Sequence, residues 1–195
     1  MGKKKSPTQK ERLPLDVFPE PKDPPIKVKV PTHRVWTENK AKLIERYLLY
    51  FVFITKHGTY IDGFAGPQDS TKPESWAANL VLGNEPKWLK HFHLFEIRPG
   101  KVEMLEELKR IQPERDSKGR KVSRDIHIYP GDFNINVQEM LNSGSIKPKE
   151  ATFCLIDQIT FECHWQTIKL LAEYKPDGSN KIEIFHDLRK KLKSR

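Results

Sequence analysis

Four carboxylates in this chain, Asp62, Glu96, Asp132 and Asp157, each stand where an apolar run ends. The runs read "TYID", "HFHLFE", "IHIYPGD" and "ATFCLID". Burying a carboxylate without a partner costs on the order of several kcal/mol. A purely structural sheet has no use for acids there, and four of them point to a ligand rich in hydrogen-bond donors. After Asp62 the chain breaks into "GFAGPQ", where Gly63 and Gly66 permit close backbone approach. A phosphate site favours a neutral, donor-rich glycine turn that runs straight into a helix. Here Asp62 opens the turn, Pro67 follows Gly66, and the next helical pattern waits until about Ser75. An acid at the mouth suits a cationic, hydroxyl-bearing ligand, and S-adenosylmethionine, with its sulfonium, α-ammonium and ribose, is one. Glu96 is then placed to accept from both ribose hydroxyls, and Asp132 from the adenine amino group. Asp62 and Glu96 are 34 residues apart, against about 20 in dinucleotide folds, so an insertion around 68–90 is expected.

The elements that must position these acids alternate along the chain. After Thr37, a reasonable N-cap, Leu43, Ile44, Tyr47, Leu48, Phe51 and Val52 recur at the spacing of one buried helix face, and Gly58 ends it. Strand patterns follow at 58–62, 91–97, 126–133, 151–158 and 181–185, the fourth apolar enough to be buried on both faces. Helical patterns separate them at 75–83, 100–111, 136–141 and 165–175. Strands spaced by helices of this size predict an α/β fold, a parallel sheet with helices on both faces. Ligands in such folds bind beyond the carboxyl ends of the strands, where the four acids stand.

The chain of 195 residues carries a net charge of +9, unevenly spread. Residues 1–40 hold +5, residues 187–195 hold +4, and the span between has 20 basic and 20 acidic residues. Residues 1–33 read as a basic, proline-rich irregular arm and 187–195 as a basic tail, flanking a domain at 34–186. Solvated tails explain this charge; weak, salt-sensitive binding of nucleic acid or an anionic surface is the functional alternative. No apolar run is long enough for a membrane span, and no apolar stretch follows the lysine-rich start. That pattern predicts a cytoplasmic protein, with Cys154 and Cys163 as reduced thiols.

"YIDGFAGP", "FHLFEI", "YPGDFN" and above all "LIDQITFECHW" together resemble the three-Cys-motif partner (TcmP) family. That family is itself similar to class I S-adenosylmethionine-dependent methyltransferases. The resemblance runs from about Trp36 to Phe185. It implies a Rossmann-like methyltransferase fold with the cofactor around Asp62, Gly63, Phe64, Ala65 and Gly66. It also implies Glu96 on the ribose, Asp132 with Phe133 at the adenine, and a three-Cys-motif protein as partner. A full fold of that class has seven strands, whereas five are visible here, so the chain reads as shortened after the fifth. That leaves an edge open to pairing with a second copy.

"DQITF" ends the fourth strand, where amino-methyltransferases carry an Asn/Asp-Pro-Pro-aromatic motif. By that likeness Asp157, Gln158 and Phe161 are the catalytic candidates for methylating an amine. The plainer reading has Asp157 cap the helix at 162–175 and Phe161 pack beneath it. Glu162, Cys163 and His164 are contiguous and so are not expected to converge on an ion or form a nucleophile pair, and His91 with His93 lacks a third ligand; no metal site is expected. Lys40 reads as an exposed first-turn lysine, or else as a partner for the methionine carboxylate, and Trp76 and Trp165 read as packing residues. A binding module that has lost catalysis is the alternative function. A nicotinamide-dinucleotide oxidoreductase is disfavoured by the acid and proline of the turn.

Overall fold

The computed structural model describes residues 33–158 and 162–187. Residues 1–32 of the basic arm, most of the basic tail and Phe161 lie outside the described residues, and His33, expected to end the arm, begins the first helix. Helix α1 spans His33–Thr55, followed by β1 (Thr59–Asp62), α2 (Ala77–Gly83) and β2 (His91–Glu96). Then come α3 (Pro99–Arg110), β3 (Asp125–Pro130), α4 (Phe133–Asn142), β4 (Thr152–Ile156), α5 (Trp165–Glu173) and β5 (Ile182–His186). All five strand patterns form strands, every pairing is parallel, and the order is β3-β2-β1-β4-β5. The fold is therefore α/β and compatible with the Rossmann type. Among the described residues no helix is long and apolar enough to cross a membrane.

Strand order reverses at β1, and right-handed crossovers then put the helices on opposite faces. One core packs α1, α2 and α3 over Tyr60, Phe92 and Phe153; the other packs α4 and α5 over Ile61, Phe95, Cys154 and Ile156. Strands β1 and β4 are buried along their whole length, as a central parallel strand requires.

Helix α1 departs from expectation twice. It begins at His33, ahead of Thr37, because nothing between Pro31 and Thr37 breaks a helix. Its buried face holds Ile44, Leu48, Phe51 and Val52, but Leu43 is 59% exposed and Tyr47 41%. Leu43, Tyr47, Tyr50 and Ile54 form a second stripe at helical spacing, of which Tyr47 meets the sheet, its ring 5.4 Å from that of Phe153 on β4 and its hydroxyl donating to Glu183 on β5.

Alternation along β2 sends His93 into the α4–α5 core, beside Tyr129 (Nδ1 to hydroxyl 3.0 Å) and stacked 5.4 Å from the His127 ring. Burial, then the His127 charge, push its pKa down from 6.5 to about 4. Between those values the unfolded chain takes up a proton that the native state excludes. Stability from this group is complete above pH 6.5 and lost as pH falls towards 4, by up to about 3 kcal/mol. Urea denaturation of His93→Phe across pH 4–7 is expected to show a shallower acid loss than the parent; superimposable pH profiles would exclude His93 as the source.

Candidate functional site

The turn after β1 is pinned by both neighbouring strands. Gly63 N–H donates to Leu155 O (2.9 Å) on the β4 side, and Ala65 N–H donates to Phe95 O (2.8 Å) on the β2 side. Phe64 N–H donates to Asp62 Oδ1 (3.1 Å), and Gly66 N–H to Glu96 Oε2 (3.1 Å). All four turn amides are thus already spent on protein acceptors. A pyrophosphate cradle needs such N–H groups facing its ligand, and this turn has none to offer.

Beyond the turn lies a cavity of about 330 Å³. Gly63, Phe64 and Gly66 form its floor, Glu96 and Lys101 one wall, Asp132 and Phe133 another, and Glu162 and His164 a third. Glu96 is fixed from both oxygens, since Arg98 N–H donates to Oε1 (2.9 Å). A Cβ on Gly66 would lie 2.1 Å from Glu96 Oε2, so glycine is what lets the carboxylate close on the turn. At Gly63 a Cβ would lie 2.8 Å from the Phe133 ring, which packs there in place of a side chain.

Asp132 caps α4, its Oδ1 accepting from Asn134 N–H (2.8 Å) and Nδ2 (2.9 Å). Asn134 then ties this wall to the next. Its Nδ2 also donates to Glu162 O, while its Oδ1 accepts from His164 N–H and Thr167 Oγ, all at 2.8 Å. Nothing in the sequence marked Asn134 beyond its place in "GDFN".

Several expected residues stand elsewhere. Asp62 does not guard the mouth: it is 2% exposed, turned to the Tyr60 hydroxyl (2.8 Å), and faces only a side pocket of about 20 Å³. The register explains this, because Asp62 pairs with Leu94 and Leu155 and so lies two residues short of Glu96 and Asp157. Burial pushes its pKa up to about 7 despite hydrogen bonds from Tyr60 and Phe64, and the charges of Asp157 and Glu96 add to the rise. Ala65, 1% exposed, lines that side pocket too, and its carbonyl accepts from the Trp76 indole (2.6 Å). Trp76 is accordingly a packing residue.

Lys40 is not exposed. At 6% exposure it crosses the carboxyl edge of the sheet to pair with Asp157 and with Asp187 (2.9 Å). Asp157 therefore does not cap α5, whose N-cap is His164; it accepts from Lys40 and from Gln68 Nε2 (3.3 Å). Gln158 is 1% exposed and lines neither cavity; its Oε1 accepts from Cys163 N–H (2.7 Å) and its Nε2 meets His186 Nε2 (2.6 Å). That places it as a brace between the ends of β4 and β5.

Glu162 and His164 both line the 330 Å³ cavity, while the intervening Cys163 turns towards the α4–α5 core. Burial, followed by the Asp132 charge, pushes the Cys163 thiol up to about 11, so it stays protonated and is no nucleophile. Trp165 is 71% exposed and is not a packing residue. Arg98 and Lys101, which sequence reasoning passed over, also line the cavity; their signal was a basic pair just after the acid of β2.

No family model, curated protein or solved structure matches the chain.

Proposed function

We propose that this chain binds S-adenosylmethionine and is a methyltransferase-like protein of the three-Cys-motif partner type, with a nucleic acid or protein as acceptor. The observation that carries the reading is the cavity itself. Two carboxylates, Glu96 and Asp132, are oriented by backbone and Asn134 donors around a turn whose amides are all consumed. Such a site accepts hydroxyl and amino donors, and its turn offers no free N–H groups to a pyrophosphate. Glu96 would hold the ribose hydroxyls, Asp132 the adenine amino group, and Ile97 and Phe133 the ring faces. When bound, the sulfonium supplies an electrophilic methyl group; the chain's own part is to bind, orient and exclude water.

Asp157 is the candidate for holding an acceptor amine, and Gln158 keeps the loop behind it in place. That Lys40 and Gln68 already engage the Asp157 carboxylate favours the second reading, a module that keeps the pocket without catalysis. A three-Cys-motif protein, or a second copy paired along β5, would be its protein partner.

Calorimetric titration with S-adenosylmethionine and S-adenosylhomocysteine tests the shared pocket, with a nicotinamide dinucleotide in parallel. Failure of a folded sample to bind either sulfur ligand would end this reading, and tighter binding of the dinucleotide would replace it. Glu96→Ala is expected to weaken binding at least tenfold, about 1.4 kcal/mol; unchanged affinity would remove Glu96 from the ribose.

A further inference from the structure

The stripe of Leu43, Tyr47, Tyr50 and Ile54 on α1 is exposed by 59%, 41%, 63% and 81% in turn. Its steps of four, three and four residues are those of a seam along which one helix packs on another. Isolated exposed apolar residues are ordinary, but these four lie in one line. Together they leave on the order of 500 Å² of side chain in solvent, a patch of the size that marks a contact surface.

Tyr47 anchors the line. Its ring lies against Phe153 and its hydroxyl donates to Glu183, so its rotamer is set beforehand and little side-chain entropy is left to lose on association. Tyr50 presents a ring and a hydroxyl to solvent, the combination that protein interfaces favour. Phe185 follows Glu183 by two residues, on the same face of β5, and adds a partly exposed ring at the margin. Lys42 and Arg46 are exposed and border the line on the side away from Tyr47.

The line is also self-complementary. About its midpoint, between Leu48 and Leu49, Leu43 mirrors Ile54 and Tyr47 mirrors Tyr50. A second copy laid antiparallel across it sets Leu43 against Ile54 of that copy and Tyr47 against its Tyr50. Each contact then occurs twice, as a twofold interface requires. The same arrangement puts Lys42 and Arg46 level with Thr55 and Phe51 of the second copy, so no cation meets a cation.

We infer that this chain forms a twofold homodimer through α1, the two helices packed antiparallel along this stripe. A stable dimer buries about 800 Å² per partner. The stripe supplies the apolar centre of that area, and Lys42, Arg46 and Phe185 supply its rim. The inference does not rest on the S-adenosylmethionine reading and is tested without that ligand.

The test is sedimentation velocity of the full chain across a range of concentrations, where a dimer is expected. Tyr50→Glu sets a carboxylate against the central ring of each copy and should raise the dissociation constant at least about 100-fold. The site is exposed, so circular dichroism should remain that of the parent. Leu43→Lys and Ile54→Glu should each self-associate poorly and form a mixed dimer when combined, because the antiparallel register brings positions 43 and 54 together. A monomeric parent chain would overturn the inference and leave the stripe to a different protein or a membrane surface. A dimer that survives Tyr50→Glu would overturn it as well, placing the contact along β5. Failure of the two charged variants to pair would overturn the antiparallel register.

Discussion

Gly66→Ala should fold almost as well as the parent chain and bind S-adenosylmethionine about 100-fold more weakly. The new Cβ would meet Glu96 Oε2 at 2.1 Å, its Cδ at 2.8 Å and Lys101 Cδ at 2.8 Å. Both intruded groups are side-chain ends that can swing aside, and Gly66 has no left-handed φ for alanine to strain. The stability cost is then the lost Gly66–Glu96 hydrogen bond, about 1–2 kcal/mol. Binding suffers more, because a displaced Glu96 forfeits its charged hydrogen bonds to the ligand, each about 1.5–3 kcal/mol. Calorimetry and urea denaturation on the same sample separate the two effects. Retained affinity with a normal denaturation midpoint would show that the Glu96 carboxylate is not part of the binding site.

Lys40→Met should lower the free energy of unfolding by about 3–5 kcal/mol, the cost of removing one partner from a buried ion pair. The ammonium is 6% exposed and serves two carboxylates, Asp157 at 12% and Asp187 at 19% exposure. Methionine keeps the length and apolar stem of the side chain, so the change tests the charge and not the packing. It also detaches α1 from the ends of β4 and β5, which face one another across that amine. Equilibrium urea denaturation reads the loss directly. A change below about 1 kcal/mol would mean that Gln68 and the other contacts of Asp157 hold the carboxyl edge without Lys40.

The strands were legible because each is a short apolar run bounded by a turn, and a helix stripe at three-to-four spacing separates each from the next. "ATFCLID" reads as doubly buried and is so throughout Thr152–Ile156. The same local pattern misjudged α1, since Leu43 shares the apolar period of the buried face and is 59% exposed, and Tyr47 reaches the sheet only at its margin, against Phe153. Spacing says that a helix has an apolar side; it does not say how wide a stripe the sheet will cover. That Glu162 and His164 line one cavity was not legible either. An i, i+2 pair in a loop has no fixed direction until Asn134, some thirty residues earlier, holds the loop by two hydrogen bonds and the first turn of α5 by a third.

The sequence by itself determined an α/β chain with five strands whose acidic ends share one edge, because local periodicity selects the elements and parallel strands place every carboxyl end on the same side. It also determined that the turn "GFAGPQ" is no phosphate cradle, and the structure supplies the reason in its spent amides. Tertiary structure alone decided which acids face the cavity. Asp62 lies two residues deeper in the register than Glu96 and Asp157 and is enclosed with Tyr60, while Glu96 reaches the opening. It alone decided that Lys40 is buried and Trp165 exposed. The burial of Lys40 depends on Asp157 and Asp187, more than a hundred positions away, and a charge or a ring carries no mark in the sequence of what will pack against it.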